Sequence, residues 1–105
     1  MKEVCRFRFD ENTDREAIEG QMAASIVVAE CVHGQARVRL GTSYLLSEDA
    51  RRLAIDVSSE VGEFVAQVFT GLMIRKVGEE KFVVERIGAS SNQTTQRKGG
   101  GNMKE

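Results

Sequence analysis

Polar and apolar residues alternate at the start of the chain, in the stretch VCRFRFD. Cys5, Phe7 and Phe9 fall on one side of an extended backbone, and Arg6 and Arg8 fall on the other. This period of two is typical of a β-strand that buries one face and exposes the other. The pattern predicts a first strand whose arginines lie outside the core.

After the first strand, the apolar spacing lengthens to three or four residues, which indicates a helix. The segment TDRE fits a capping box, in which the Thr13 side chain accepts a hydrogen bond from the Glu16 amide, and Gly34 suits the helix end. SIVVAECV is rich in residues that favour strands, so a strand over residues 25–32 is the alternative. The cap and the glycine favour the helix. Its apolar stripe consists of Ile18, Met22, Ile26 and Ala29.

A second alternation follows in QARVRL. Ala36, Val38 and Leu40 share one face of an extended chain, while Arg37 and Arg39 share the other. The pattern predicts a second strand with an arginine-bearing outer face.

The next two segments complete a predicted hairpin. Gly41 suits a bulge before SYLL, and RLAIDV supplies the partner strand through Leu53, Ile55 and Val57. Arg52 alternates with these residues, so it is expected on the same outer face as the other arginines.

SSEVGE opens a second predicted helix with serine capping and acidic residues in its first turn. Gly78 lies just beyond its last turn, and KFVVERI then forms a final strand. The predicted buried stripe of this helix consists of Val61, Val65, Val68 and Leu72, flanked by Phe64 and Phe69.

The order strand–helix–strand–strand–helix–strand predicts an α+β fold. Two such halves joined by a hairpin form a ferredoxin-like two-layer sandwich (βαββαβ), a four-stranded antiparallel sheet with two helices on one face. Residues 1–88 form this single domain. Residues 89–105 are rich in Gly, Ser, Thr, Asn and Gln, and we expect a flexible polar tail there.

Charge and hydropathy narrow the function classes. The chain has 105 residues and a net charge of −1, and part of its basic charge lies in residues 88–105. The remaining body is therefore mildly acidic, which makes it a poor non-specific binder of nucleic acid. No apolar run reaches the roughly 20 residues of a membrane helix, and the start carries no signal-like apolar stretch. We expect no membrane association and a cytoplasmic location.

Candidate metal and redox motifs fail at particular positions. Cys5 and Cys31 are too few for a disulfide framework, and we expect buried free thiols. DENTDR begins like a calcium loop, but Arg15 stands where the turn needs glycine and Gln21 where a glutamate ligand is needed. Cys31 and His33 diverge on a helix and cannot readily share a metal. The sequence predicts no metal site and no cofactor.

The outer sheet face is the first candidate binding surface. RNA-recognition modules of this topology stack bases on aromatic residues of that face, whereas here the aromatic residues alternate to the helix side. The alternative to a binding surface is a solvated face with cross-strand ion pairs. The candidate ligand or partner residues are Arg6, Arg8, Arg37, Arg39 and Arg52.

The helices carry more apolar residues than one buried stripe requires. A helix that is apolar most of the way round is usually buried all round, so a second subunit is expected to cover the outer sides. A two-fold homodimer is the commonest closed assembly. The alternative is that the assumed helix phases are wrong by one position, or that the C-terminal tail covers the apolar surface. The predicted dimer interface consists of Ala24, Val27, Val28, Met73 and Ile74.

These features favour a small non-enzymatic interaction or regulatory module, a homodimer that presents an arginine-bearing sheet face to a partner or a small anionic ligand. The alternative is a small dimeric-barrel-type enzyme with a pocket at the subunit interface, in which His33, Tyr44 or an arginine acts on the substrate. Weak nucleic-acid binding is the third hypothesis, and it requires affinity that falls steeply with salt.

Overall fold

A computed structural model of the chain describes residues 3–88, so the predicted tail over 89–105 lies outside the described residues. The elements combine four strands, three α-helices and one short 3-10 turn. In chain order they are β1 (Glu3–Phe9), α1 (Arg15–His33), α2 (Gln35–Gly41), β2 (Tyr44–Leu46), β3 (Arg52–Asp56), α3 (Glu60–Val77), the 3-10 turn (Glu79–Lys81) and β4 (Phe82–Gly88).

The four strands form one sheet in the order β2-β3-β1-β4, and every neighbouring pair is antiparallel. The central strand β1 pairs with β3 on one side and with β4 on the other, from Glu3 opposite Gly88 to Phe9 opposite Phe82. Helices α1 and α3 supply buried residues to the core beside β1. The predicted α+β class and four-stranded antiparallel sheet are confirmed.

The predicted strand over QARVRL is wrong, because Gln35–Gly41 is the helix α2. Gly34 ends α1 with a positive φ of 91°, which glycine adopts readily, and the chain then enters a new helix. Gln, Ala, Arg and Leu are good helix formers, and a six-residue alternation with one buried residue, Val38, also fits a short helix. Gly41 therefore ends α2 and is not a bulge, and β2 is shortened to Tyr44–Leu46.

The start of α1 differs by one residue from the predicted cap. Asp14, not Thr13, is the N-cap, and its carboxylate accepts from the backbone N–H of Glu16 at 3.3 Å. The Thr13 hydroxyl is buried without a hydrogen-bond partner. Residues 25–32 are helical, so the predicted helix is confirmed there and the strand alternative is wrong.

The start of α3 follows the predicted serine cap. The hydroxyl of Ser59 accepts from the backbone N–H of Gly62 at 2.9 Å. A Cβ atom at Gly62 would overlap the backbone oxygen of Asp56, so the helix start lies directly against the end of β3. Only glycine permits so close an approach at this position.

Aromatic rings from the strands and α3 form the centre of the core. Phe7 is fully buried, and its ring meets Phe69 edge-on with centroids 5.1 Å apart. Phe9 contacts both of these rings, and Phe82 contacts Phe7 and Phe9. Edge-to-face contacts of this kind add to the free energy gained by burying the rings.

The buried stripe of α3 differs from the predicted one in its second half. Phe69 and Met73 are fully buried, whereas Val68 and Leu72 are half-buried. The ring contact between Phe69 and Phe7 fixes this phase. A helix that is apolar on several sides does not reveal which side faces the sheet, so the predicted stripe of α3 is wrong by one position in its second half.

Candidate functional site

Three arginines lie on the outer face of the sheet. Arg6 and Arg8 belong to β1 and Arg52 to β3, and all three side chains are exposed. They alternate with buried core residues such as Phe7 and Leu53, which point to the helix side. The strand alternation seen in the sequence therefore brings these three predicted site residues together on one surface, which we call the arginine face.

Arg8 and Arg52 are direct cross-strand neighbours. Residues opposite each other on antiparallel strands have Cβ atoms about 4.5–5.5 Å apart, and like charges in this position destabilise the sheet. Val83, on the other side of Arg8, offers no charge. Within residues 3–88, neither guanidinium forms an ion pair with a carboxylate. The pair is thus a local concentration of positive charge.

Two carboxylates lie near the arginines without neutralising the pair. Glu85 is opposite Arg6 in the register, but the two form no ion pair in the described part of the chain. The pKa of Asp49 is lowered mainly by a hydrogen bond from the Ser47 hydroxyl and also, more weakly, by the charge of Arg52. Because Asp49 is fully exposed, water and salt screen this attraction strongly.

Apolar side chains surround the arginines on the same face. Leu45 on β2 is 74% exposed and Val83 on β4 is 56% exposed, at opposite sides of the sheet. Ala54 lies between Leu45 and Arg6 in the register. The five phenylalanines and the one tyrosine all lie elsewhere. The face therefore combines three guanidinium groups and the Glu85 carboxylate with aliphatic surface, and it has no platform for stacking a base.

Two of the predicted arginines are not on this face. Arg37 and Arg39 lie on α2, because the segment predicted as a strand is helical. Arg37 pairs with Glu60 of α3 at 3.7 Å, and Arg39 is exposed. The predicted five-arginine sheet face is therefore reduced to three.

Only some of the residues predicted for the helix-face dimer interface lie on the outer surface of the helices. Val27 is 57% exposed, and Val28 and Ile74 are exposed at 40% and 41%. Ala24 is half-buried. Met73 is fully buried in the core, so its assignment to the interface is wrong, because the phase of α3 places it against the sheet.

Two strongly exposed apolar side chains were missed by the sequence reasoning. Val32 is 61% exposed and follows Val28 by one helical turn, so the spacing alone places it on the same side of α1. Leu40 is 90% exposed, and it was assigned to a buried strand face that does not exist. Val32 extends the apolar outer surface of α1 beyond the predicted residues.

A groove of about 240 Å³ lies between α1 and β2. Met22 and Leu53 contribute buried apolar surface to it, and Tyr44 and Arg15 lie at its exposed side. Arg15 is held there by Glu19, at 2.9 Å, and by donation to the backbone oxygen of Glu48 at 2.8 Å. The groove is apolar with few polar groups, as small-molecule sites often are.

His33 and Tyr44 are candidate catalytic groups of the enzyme hypothesis, and they belong to different elements: His33 ends α1 and Tyr44 begins β2. The His33 ring packs edge-on against Phe64 with centroids 5.0 Å apart, and its Nε2 is buried without a hydrogen-bond partner. Tyr44 pairs with Ile55 in the sheet and lines the groove beside α1. The structure gives His33 a packing role at the end of α1.

The Cys5 thiol lies in a small cluster with the side chains of Arg86 and Glu63. Arg86 reaches the Cys5 sulfur at 3.8 Å and binds Glu63 at 2.6 Å. Burial raises the pKa of the Cys5 thiol, and this effect exceeds the lowering by the charge of Arg86. A thiol that stays protonated at neutral pH is a poor nucleophile. Cys31 is exposed, so the prediction that both thiols are buried is wrong for this residue.

Within residues 3–88, no group of three or more His, Cys, Asp or Glu side chains is arranged to hold a metal ion. None of the helices described there has the length and hydropathy needed to cross a membrane. The cytoplasmic location stays a prediction.

Protein-family models, curated proteins and solved structures were each compared with the chain, and none matched it. The most distinctive surfaces of the described residues are the arginine face and the outer side of α1.

Proposed function

We propose that the protein is a non-enzymatic interaction or regulatory module. It is a homodimer with a ferredoxin-like βαββαβ arrangement, and it presents the arginine face to a partner or an anionic ligand. The strand order β2-β3-β1-β4, with α1 and α3 in the two crossover positions, supports this topology, to which α2 is an addition.

The observation that carries the proposal is the direct pairing of Arg8 with Arg52. Folding alone gains nothing from two like charges at neighbouring positions, and a residue that lowers stability is expected where function requires it. An anionic group on this face removes the repulsion, because a guanidinium binds a carboxylate or phosphate through two parallel hydrogen bonds.

The dimer is supported by the outer surface of α1. Val27, Val28 and Val32 are exposed on one helix, and Ile74 is exposed on α3. Contiguous exposed apolar surface is uncommon on monomers and often marks an interaction site.

The dimer is tested by the paired change Val28→Glu and Ile74→Glu, measured by light scattering behind size exclusion. We expect the mass to fall from that of two chains to that of one, because two carboxylates are buried without partners in the interface. Val83→Glu, at an exposed valine on the outer face of the sheet and away from the helices, is the control and is expected to leave the mass unchanged. An unchanged mass for the paired variant means that the helix-face dimer is wrong.

A second candidate function, a small enzyme, is favoured by the groove between α1 and β2. Its mixture of apolar surface with Arg15 and Tyr44 suits a small ligand with one polar end. A thermal-shift screen against a broad metabolite panel tests this alternative. A ligand whose stabilisation is lost in Tyr44→Phe supports it, and a panel without any shift counts against it.

A further inference from the structure

The positive charge of the arginine face is distributed over a flat area. Arg6 and Arg8 are two residues apart on β1, which corresponds to about 6.6 Å along a strand. Arg52 lies directly across from Arg8, one strand spacing of about 4.8 Å away. Several separate carboxylates match such a layout better than one small ion, and small ions and metabolites bind mainly in concave sites.

The apolar surroundings further restrict the occupant. Leu45 and Val83 are strongly exposed at either side of the arginines, and both present aliphatic surface only. A free phosphate has no apolar part that would cover them. A single-stranded nucleic acid needs aromatic platforms for most of its base affinity, and this face has none. A protein segment offers both carboxylates and aliphatic side chains.

We propose that Arg6, Arg8 and Arg52 bind an acidic protein segment that carries aliphatic side chains between its carboxylates. The carboxylates pair with the guanidinium groups, and the aliphatic side chains cover Leu45 and Val83. This inference rests on the proposed function of the sheet face, and it names the class of partner.

The test uses fluorescence anisotropy with a labelled eight-residue peptide in which glutamate alternates with leucine. Hexaglutamate, pyrophosphate and a fifteen-nucleotide oligothymidylate are the comparison probes, added as competitors. We expect the alternating peptide to bind the full chain more tightly than hexaglutamate does, because only the former covers aliphatic surface.

Paired variants locate the binding. Arg8→Gln with Arg52→Gln is expected to lower the affinity for the peptide by about tenfold or more, because two charge-assisted contacts are lost. Arg39→Gln with Arg75→Gln removes the same charge from exposed positions off the sheet and is expected to change the affinity by less than about twofold. Leu45→Ser with Val83→Ser is expected to lower the affinity for the alternating peptide and to leave the affinity for hexaglutamate unchanged. Thermal unfolding of each variant verifies that it is folded.

The outcomes separate this inference from the proposed function. Binding of pyrophosphate or oligothymidylate that depends on Arg8 and Arg52, without peptide binding, overturns the inference and keeps an anion-binding face. Equal affinity for hexaglutamate and the alternating peptide also overturns it, because the aliphatic contacts then contribute nothing. If no probe binds at about millimolar concentration, or if the control pair of variants weakens binding equally, both the inference and the sheet-face function fail. A loss of dimer mass in Arg8→Gln with Arg52→Gln shows that a second copy of the chain occupies the face, which overturns both.

Discussion

Replacement of Arg52 by glutamate is expected to stabilise the folded protein. Arg52 faces Arg8 across the β1–β3 pair, and the wild-type pair is repulsive. Arg52→Glu converts the repulsion into an attraction without touching the core, because both side chains are exposed. Most single substitutions destabilise a protein, so the direction of the change tests the repulsion between Arg8 and Arg52.

The size of the effect follows from the geometry. Two unit charges about 6 Å apart in water interact with about 0.7 kcal/mol, and physiological salt reduces this to roughly half. Exchanging repulsion for attraction therefore changes the free energy of unfolding by about 0.5–1 kcal/mol. The melting temperature of a domain of this size is expected to rise by about 2–8 °C. The new carboxylate also repels Asp49, which brings the expected value toward the lower end.

Urea unfolding followed by circular dichroism measures the change at low and high salt. Arg52→Gln removes one charge and is expected to give about half of the gain. Arg39→Glu, on α2, is the control for the altered net charge. If Arg52→Glu is no more stable than the wild type at low salt, or if its gain is unchanged in molar salt, where charge effects are screened, Arg8 and Arg52 do not repel each other in the folded protein.

Four further predictions concern two helix glycines, the core and the thiols. Gly62→Ala is expected to destabilise the fold although alanine has the higher helix propensity, because the added Cβ overlaps the backbone oxygen of Asp56. Gly20→Ala is the control: its Cβ meets no atom within 4 Å, and we expect it to stabilise the fold by about 0.5–1 kcal/mol. The urea midpoints of the two variants are compared, and equal shifts would contradict the close approach at Gly62. Phe69→Ala is expected to cost about 3–5 kcal/mol in the same assay, since the ring is fully buried, and a loss below about 1 kcal/mol places it outside the core. In a thiol titration at pH 8, Cys31 is expected to react at once and Cys5 only on unfolding, and two fast thiols refute this. Because burial raises the pKa of Cys5, its protonated form contributes stability that is present at neutral pH and is lost as the pH rises above about 8.5, where the unfolded thiol ionises first.

The sequence predicted the parts of the fold that local patterns determine. The alternation of Phe7 and Arg8 assigned the two faces of β1, and the serine before α3 marked the start of that helix. Both signals depend on a few neighbouring residues. The sequence could not distinguish α2 from a strand, because six residues with one buried side chain, Val38, fit either period.

The candidate site depends on longer-range information. Arg8 and Arg52 are 44 positions apart, and only the strand register makes them neighbours. Register depends on how the whole sheet assembles, so no local pattern predicts it. Met73 was wrongly assigned to the dimer interface for a related reason. Because α3 is apolar on several sides, its buried side depends on contacts with other elements, such as that between Phe69 and Phe7 of β1.

The pairing of β1 with β4 has a consequence for the order in which the protein folds. The central strand is formed by the first described residues and its outer neighbour by the last, with Glu3 opposite Gly88. During synthesis β1 must therefore wait for nearly all of the remaining domain before its second edge is paired, a non-local contact of the kind that slows folding. The same adjacency favours circular permutation, since a short linker between residues 3 and 88 joins two points that are already neighbours in the sheet. A permutant opened in the β2–β3 turn would turn β1 and β4 into a local hairpin, and it is expected to fold faster than the natural order of strands.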